Sequence, residues 1–159
     1  MRLYLVQHAA AKTEAEDPQR GLTGEGRRTA ETMAEFLGGF RLPLDLIEHS
    51  EKLRARQTAE ILAARLRPLD GTKQVSGMAP NDDVGPILSR LQEQSKNLML
   101  VGHLPHLSRL VPQLLGVPAG RTIVQFQMGG VVCLDRGEAG QWVLRWAVMP
   151  ELLLPRSSL

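Results

Sequence analysis

Gln7-His8 closes an apolar run that starts at Arg2, and Gly102-His103 follows another that runs from Asn97 to Val101. Between them in the chain lies Ser50-Glu51-Lys52-Leu53-Arg54-Ala55-Arg56-Gln57-Thr58-Ala59. An imidazole with a bare ring nitrogen can attack an electrophile or move a proton. A guanidinium grips a carboxylate or phosphate through its fork of N–H groups. Histidines at the ends of two buried strands, with arginines at the start of a helix, could therefore converge on one anion. The N–H groups at the start of that helix would point at the same charge. Each residue alone reads as an ordinary structural side chain; their joint placement on one edge of a sheet points to chemistry. His49 and His106 have no comparable setting and read as structural or solvent-facing.

Such residues need elements to position them. Arg2 to Gln7 reads as a buried strand. Residues 9–22 show no periodicity and read as a loop. A helix is expected from Thr23, a plausible N-cap, with Ala30, Met33, Ala34 and Leu37 on one face and Gly38-Gly39 at its end. Leu44 to His49 reads as a second strand, and Glu51 to Arg67 as a helix stopped by Pro68. Asp70 to Pro80 reads as a loop with a short strand around Val75. A third helix is expected over Asp82 to Gln94, opened by its two aspartates, with Pro86 near its first turn. Asn97 to Val101 reads as a buried strand. A fourth helix carries Leu107, Leu110, Val111, Leu114 and Leu115, is kinked by Pro112 and closed by Gly116. Strands are expected near Thr122–Gln127, over Gly130–Leu134 and over Trp142–Val148.

Strands alternating with helices predict an α/β fold: a three-layer α/β/α sandwich with a mostly parallel, mixed sheet. In such open sheets ligands bind beyond the carboxyl ends of the strands, where His8 and His103 fall. The length of 159 residues fits one domain over 1–159.

Composition narrows the function classes. Hydrophobic residues make up 43% and aromatics only 4%, so the core must be aliphatic. The net charge is +2, and no basic run is interleaved with aromatics, so no nucleic-acid partner is expected. The single cysteine, Cys133, excludes an internal disulfide and a multi-cysteine zinc site. Its apolar neighbours predict a buried, inert thiol. The apolar N-terminal stretch is too short for a signal sequence or a membrane span, which leaves a cytoplasmic location as the default and no membrane partner. Oligomeric state is left open.

Several blocks together resemble the histidine phosphatase superfamily, the phosphoglycerate-mutase-like proteins. Leu5-Val6-Gln7-His8-Ala9 is similar to the Arg-His-Gly signature, and Arg20-Gly21-Leu22-Thr23-Gly24-Glu25-Gly26 to the Leu-Thr-x-x-Gly element. Ser50 to Ala59 resembles the Ser-x-x-x-Arg-Ala-x-Gln-Thr-Ala block. Val101 to Pro105 resembles the second histidine motif, and Trp146 to Leu153 the usual C-terminal end. The short chain, without large insertions, is similar to the SixA-type phosphohistidine phosphatase branch.

The resemblance implies a metal-independent phosphatase with no cofactor. His8 would be the nucleophile, with its other nitrogen donating to a backbone carbonyl. Arg54 would clamp two phosphoryl oxygens and His103 would donate to a third. Gln7 stands where the family has arginine; it can donate a hydrogen bond to phosphate but brings no charge. Arg20 could restore the charge if its loop folds over the pocket, with Lys12 the weaker candidate. No carboxylic acid stands out as a proton donor, since Asp82 and Asp83 read as helix caps. That favours N–P over O–P substrates, because a protonated phosphohistidine ring leaves as neutral imidazole. The expected substrate is phosphohistidine on a partner protein, as in a signalling phosphotransfer domain. The alternatives are a phosphatase of small phosphoesters and, because of Gln7, a non-catalytic phosphate-binding module.

Overall fold

The computed structural model describes residues 1–153; the last six residues of the expected domain lie outside it. Its order is β1 (Arg2–Gln7), α1 (Gly24–Gly38), β2 (Leu46–His49), α2 (Leu53–Leu66), β3 (Thr72–Gln74), α3 (Gly85–Glu93), β4 (Leu98–Gly102), α4 (His106–Leu114), β5 (Val131–Arg136), β6 (Trp142–Val148) and a 3-10 turn over Pro150–Leu152. The six strands form one sheet in the order β3-β2-β4-β1-β5-β6. The pairings from β3 to β1 are parallel, and β5 runs antiparallel to both β1 and β6.

Period-two burial sets the two faces of the sheet. Leu3, Leu5, Leu98, Leu100, Val132 and Leu134 pack under α3 and α4. Tyr4, Val6, Met99, Val101, Val131 and Cys133 pack under α1 and α2. The sandwich therefore has helices on both faces, as expected. β1 lies inside the sheet with helices over both faces, so its side chains are removed from water on either side. Cys133 is fully buried, and burial pushes its thiol up to about 12. No helix among the described residues is long and apolar enough to cross a membrane.

Helix ends follow their sequence signals. Thr23 Oγ1 accepts from the Gly26 N–H at 2.9 Å and caps α1. Gly26 sits so close to the Ala10 backbone that a β-carbon there would overlap the Ala10 carbonyl. α2 ends in a left-handed Arg67, which donates its N–H to the Ala63 carbonyl before Pro68.

Two expectations need correction. Thr122–Gln127 is not a strand. Only Phe126 of it is buried, and the two edges of β1, the strand it approaches, are already occupied by β4 and β5. The segment runs as a loop toward the carboxyl end of β1, where the Gly129 N–H donates to the Gln7 carbonyl at 2.9 Å. Asp82 and Asp83 lie ahead of α3 instead of opening it; Asp82 accepts from the Ala79 N–H at 2.8 Å within the preceding turn. Of the two readings left open for His49 and His106, structural or solvent-facing, burial at 4% and 0% exposure agrees with the first.

Candidate active site

Strand register brings the site together. Gln7 pairs with Gly102 across β1 and β4, and the His8 N–H donates to the Gly102 carbonyl at 3.0 Å. His8 and His103 are thus the residues that follow paired ends of adjacent parallel strands. On the other side of β4, the Ser50 N–H donates to the Val101 carbonyl at 3.1 Å. Ser50, His103 and His8 therefore stand in a row along the carboxyl edge of the sheet. Arg54, in the first turn of α2, reaches back across that row.

The ring of His8 is oriented by its own backbone. Its Nδ1 lies 2.7 Å from the Ala9 carbonyl oxygen, which can only accept, so Nδ1 carries the proton and Nε2 carries the lone pair. Arg54 Nε donates to that Nε2 at 3.3 Å. The rings of His8 and His103 lie 4.9 Å apart between centroids, tilted by 55°. Both imidazoles are held neutral. Burial, then the nearby positive charges of Arg54 and Arg20, draw His8 down to about 4 against the hydrogen bond to Ala9. Burial and the neighbouring His8, Arg54 and Lys52 draw His103 to about 3. A neutral His8 with a fixed tautomer is a competent nucleophile at neutral pH.

Supporting contacts come from residues whose roles the sequence did not disclose. Thr58 Oγ1 accepts from the Ala9 N–H at 3.1 Å and donates to the Arg54 carbonyl at 2.8 Å. One hydroxyl therefore ties the peptide that orients His8 to the turn that carries Arg54. Gln57 Oε1 accepts from the Leu22 N–H at 2.8 Å and anchors the end of the loop after His8. Ser50 Oγ stands 2.5 Å from His103 Nε2 and accepts from the Lys52 N–H at 3.3 Å. The Gln-Thr pair and the leading serine of the block were the available signal; only the fold shows what they touch.

The expected residues divide into two sets. His8, Arg54 and His103 meet. Gln7 is buried at the end of β1, and its amide oxygen has no hydrogen-bond partner among the described residues. Arg20 stands on the rim, in a left-handed conformation, with Nε donating to the Lys12 carbonyl at 3.2 Å. It lines a trough of about 510 Å³ together with Arg54. Lys12 is drawn instead toward Asp17, at 3.9 Å. Among the described residues no group of three or more His, Cys, Asp or Glu side chains is placed to hold a metal ion. Arg54 opposite a bare Nε2, beside a second neutral imidazole, can bind a tetrahedral oxyanion and accept its central atom on nitrogen.

Comparison with known proteins agrees in family and fold. The model of the histidine phosphatase superfamily (branch 1) matches residues 3–76. Phosphohistidine phosphatase SixA of Escherichia coli (strain K12) is 27% identical over 155 residues, 94% of each chain. An uncharacterised protein of Picosynechococcus sp. is 34% identical over 147 residues, 87% of each chain. The structure of the protein histidine phosphatase SixA complexed with tungstate matches with a TM-score of 0.85 at 26% identity, over 97% of this chain and 100% of that one. The α-ribazole phosphatase from Shigella flexneri shares the fold alone, with a TM-score of 0.75 at 18% identity over 91% and 95% of the two chains. The expected phosphoglycerate-mutase-like sandwich is the architecture found.

Proposed function

Because this chain belongs to the histidine phosphatase superfamily and is a phosphatase of the SixA type, we propose that it hydrolyses phosphohistidine on a partner protein through His8. The observation that carries the reading is the contact of His8 Nδ1 with the Ala9 carbonyl, 2.7 Å long, which leaves Nε2 bare beside Arg54.

In the first step the Nε2 lone pair of neutral His8 forms a bond to phosphorus. The P–N bond of a substrate ring already protonated on its other nitrogen breaks, and that ring leaves as neutral imidazole. His8 becomes a phosphoimidazolium that still donates Nδ1–H to Ala9. In the second step a water oxygen bonds to phosphorus and the Nε2–P bond breaks. Both water protons depart on dihydrogen phosphate, and neutral His8 is restored. Arg54 holds phosphoryl oxygens through both steps, and His103 donates to the charge that builds up on them. Transfer from one imidazole to another needs no carboxylic acid, which accords with Asp82 being occupied by the Ala79 N–H.

The test is to offer a phosphohistidine peptide and a panel of small phosphoesters side by side, and to quench early for label on the protein. Acid-labile, base-stable label that forms from the peptide and disappears in His8→Asn is expected. Preferential turnover of a phosphoester would replace the protein substrate with a small molecule. No label and no phosphate release from any substrate would leave a binding module.

A further inference from the structure

We propose that the trough leading from Arg54 along the start of α2 binds acidic side chains flanking the phosphohistidine of the substrate protein. This rests on the phosphohistidine reading above and specifies which phosphoprotein surfaces the site accepts.

Four cations wall the trough: Arg20 from the loop after His8, and Lys52, Arg54 and Arg56 from the start of α2. Two carboxylates, Glu14 and Glu51, face them, so the lining carries a net positive charge of 4 − 2 = +2. Among the described residues, neither Arg20 nor Arg54 has a carboxylate within ion-pair distance. Their charges instead oppose each other, and the charge of Arg20, after burial, lowers the Arg54 guanidinium below its ordinary value. An anion between them relieves that repulsion.

The remaining two cations are held only loosely. Lys52 Nζ lies 3.4 Å from Glu51, its neighbour in the chain, and Arg56 Nε lies 3.7 Å from Glu60 one turn on. All four of these side chains are roughly half exposed. Such surface pairs contribute little and exchange partners readily. The other carboxylates of the loop are already engaged: Glu16 accepts from the Thr13 N–H, and Asp17 from those of Gln19 and Gly21.

The volume of about 510 Å³ exceeds what one phosphoryl group fills. Arg54 is the wall shared with His8. A phosphoryl group on His8 therefore leaves Arg20, Lys52 and Arg56 facing whatever adjoins the substrate histidine. Acidic side chains on a folded partner or peptide match that charge. Clefts of one sign also raise encounter rates with ligands of the other, in a salt-dependent way.

The experiment uses three substrates: a phosphohistidine peptide with Asp and Glu flanks, its Gln and Asn counterpart, and phosphoramidate. The acidic peptide is expected to show kcat/KM about tenfold higher at low salt, mostly through KM, with the advantage shrinking as salt rises. The Arg56→Glu variant should cut the advantage of the acidic peptide to about threefold and leave phosphoramidate turnover unchanged. Equal rates for the two peptides, with phosphoramidate still hydrolysed, would overturn the trough but not the activity. Binding of stable phosphohistidine-analogue peptides to His8→Ala, followed by fluorescence anisotropy, decides the matter independently of turnover. Equal affinity for both flanks there also overturns it, whether or not any substrate is hydrolysed.

Discussion

Ser50 Oγ lies 2.5 Å from His103 Nε2 while accepting from the Lys52 N–H at 3.3 Å. The serine hydroxyl can donate its proton to Nε2, and in that arrangement the ring proton of His103 sits on Nδ1. Nδ1 is buried and has no partner among the described residues. A ring held in this tautomer has one N–H to offer an oxyanion.

Ser50→Ala is expected to lower kcat by about tenfold with a smaller change in KM, because a buried ring nitrogen loses its partner at a cost of roughly 1–3 kcal/mol. Nitrogen-15 NMR of His103 should show one tautomer in the parent and a mixture in the variant. Ser50→Thr, which keeps the hydroxyl, should retain more of the rate. An unchanged tautomer in Ser50→Ala would remove Ser50 from this role.

Gln7→Arg is expected to raise the phosphatase rate. The glutamine supplies neither charge nor a five-donor fork, and loss of one oxyanion donor costs about a hundred- to a thousandfold in comparable sites. Steady-state rates on a phosphohistidine peptide measure it. A fall on this substitution would show a pocket rebuilt around the buried amide.

The pH dependence has a definite sign. In the unfolded chain His8 titrates near 6.5, and in the fold near 4. Between those values the unfolded state binds more protons, so stability falls as pH drops from about 6.5 to 4 and then levels. That gap corresponds to about 3 kcal/mol from this ring. His103 adds a loss of the same sign that continues to about pH 3. Urea unfolding at pH 7 and pH 5 should show the decline, while single-turnover labelling of His8 persists at pH 5. An NMR titration midpoint for His8 near 6.5 would contradict both.

Gly26→Ala is expected to destabilise the protein by roughly 1–3 kcal/mol, since the new methyl would meet peptide atoms instead of a yielding side chain. The Ala10 nitrogen would stand 2.8 Å from it. Ala10 follows the residue whose carbonyl orients His8, so kcat should fall with stability. Denaturant unfolding and a rate assay on the same sample check this. An unchanged midpoint would mean that the loop yields freely.

Much of the site was legible because its residues follow strands that periodicity identifies. Apolar runs before His8 and His103 marked buried strands, and the helix expected directly after the second strand placed Arg54 near a sheet edge. The same local signals located α1 through Thr23 and the end of α2 through Pro68. Thr122–Gln127 shows their limit: β-branched residues form a strand only where the chain runs alongside a ladder, and the tertiary path decides that. His49 and His106 show it again, since burial of an imidazole depends on what packs over it.

The sequence by itself determined which side chains end strands and which begin helices, because burial pattern and capping act within a few residues. Only the tertiary structure decided that Ser50 touches His103, that Thr58 braces Ala9, and that Arg20 faces Arg54. Those contacts span 53, 49 and 34 positions of the chain. They exist because β2, β4 and β1 lie side by side in matched register, and register is set by the packing of both sheet faces at once.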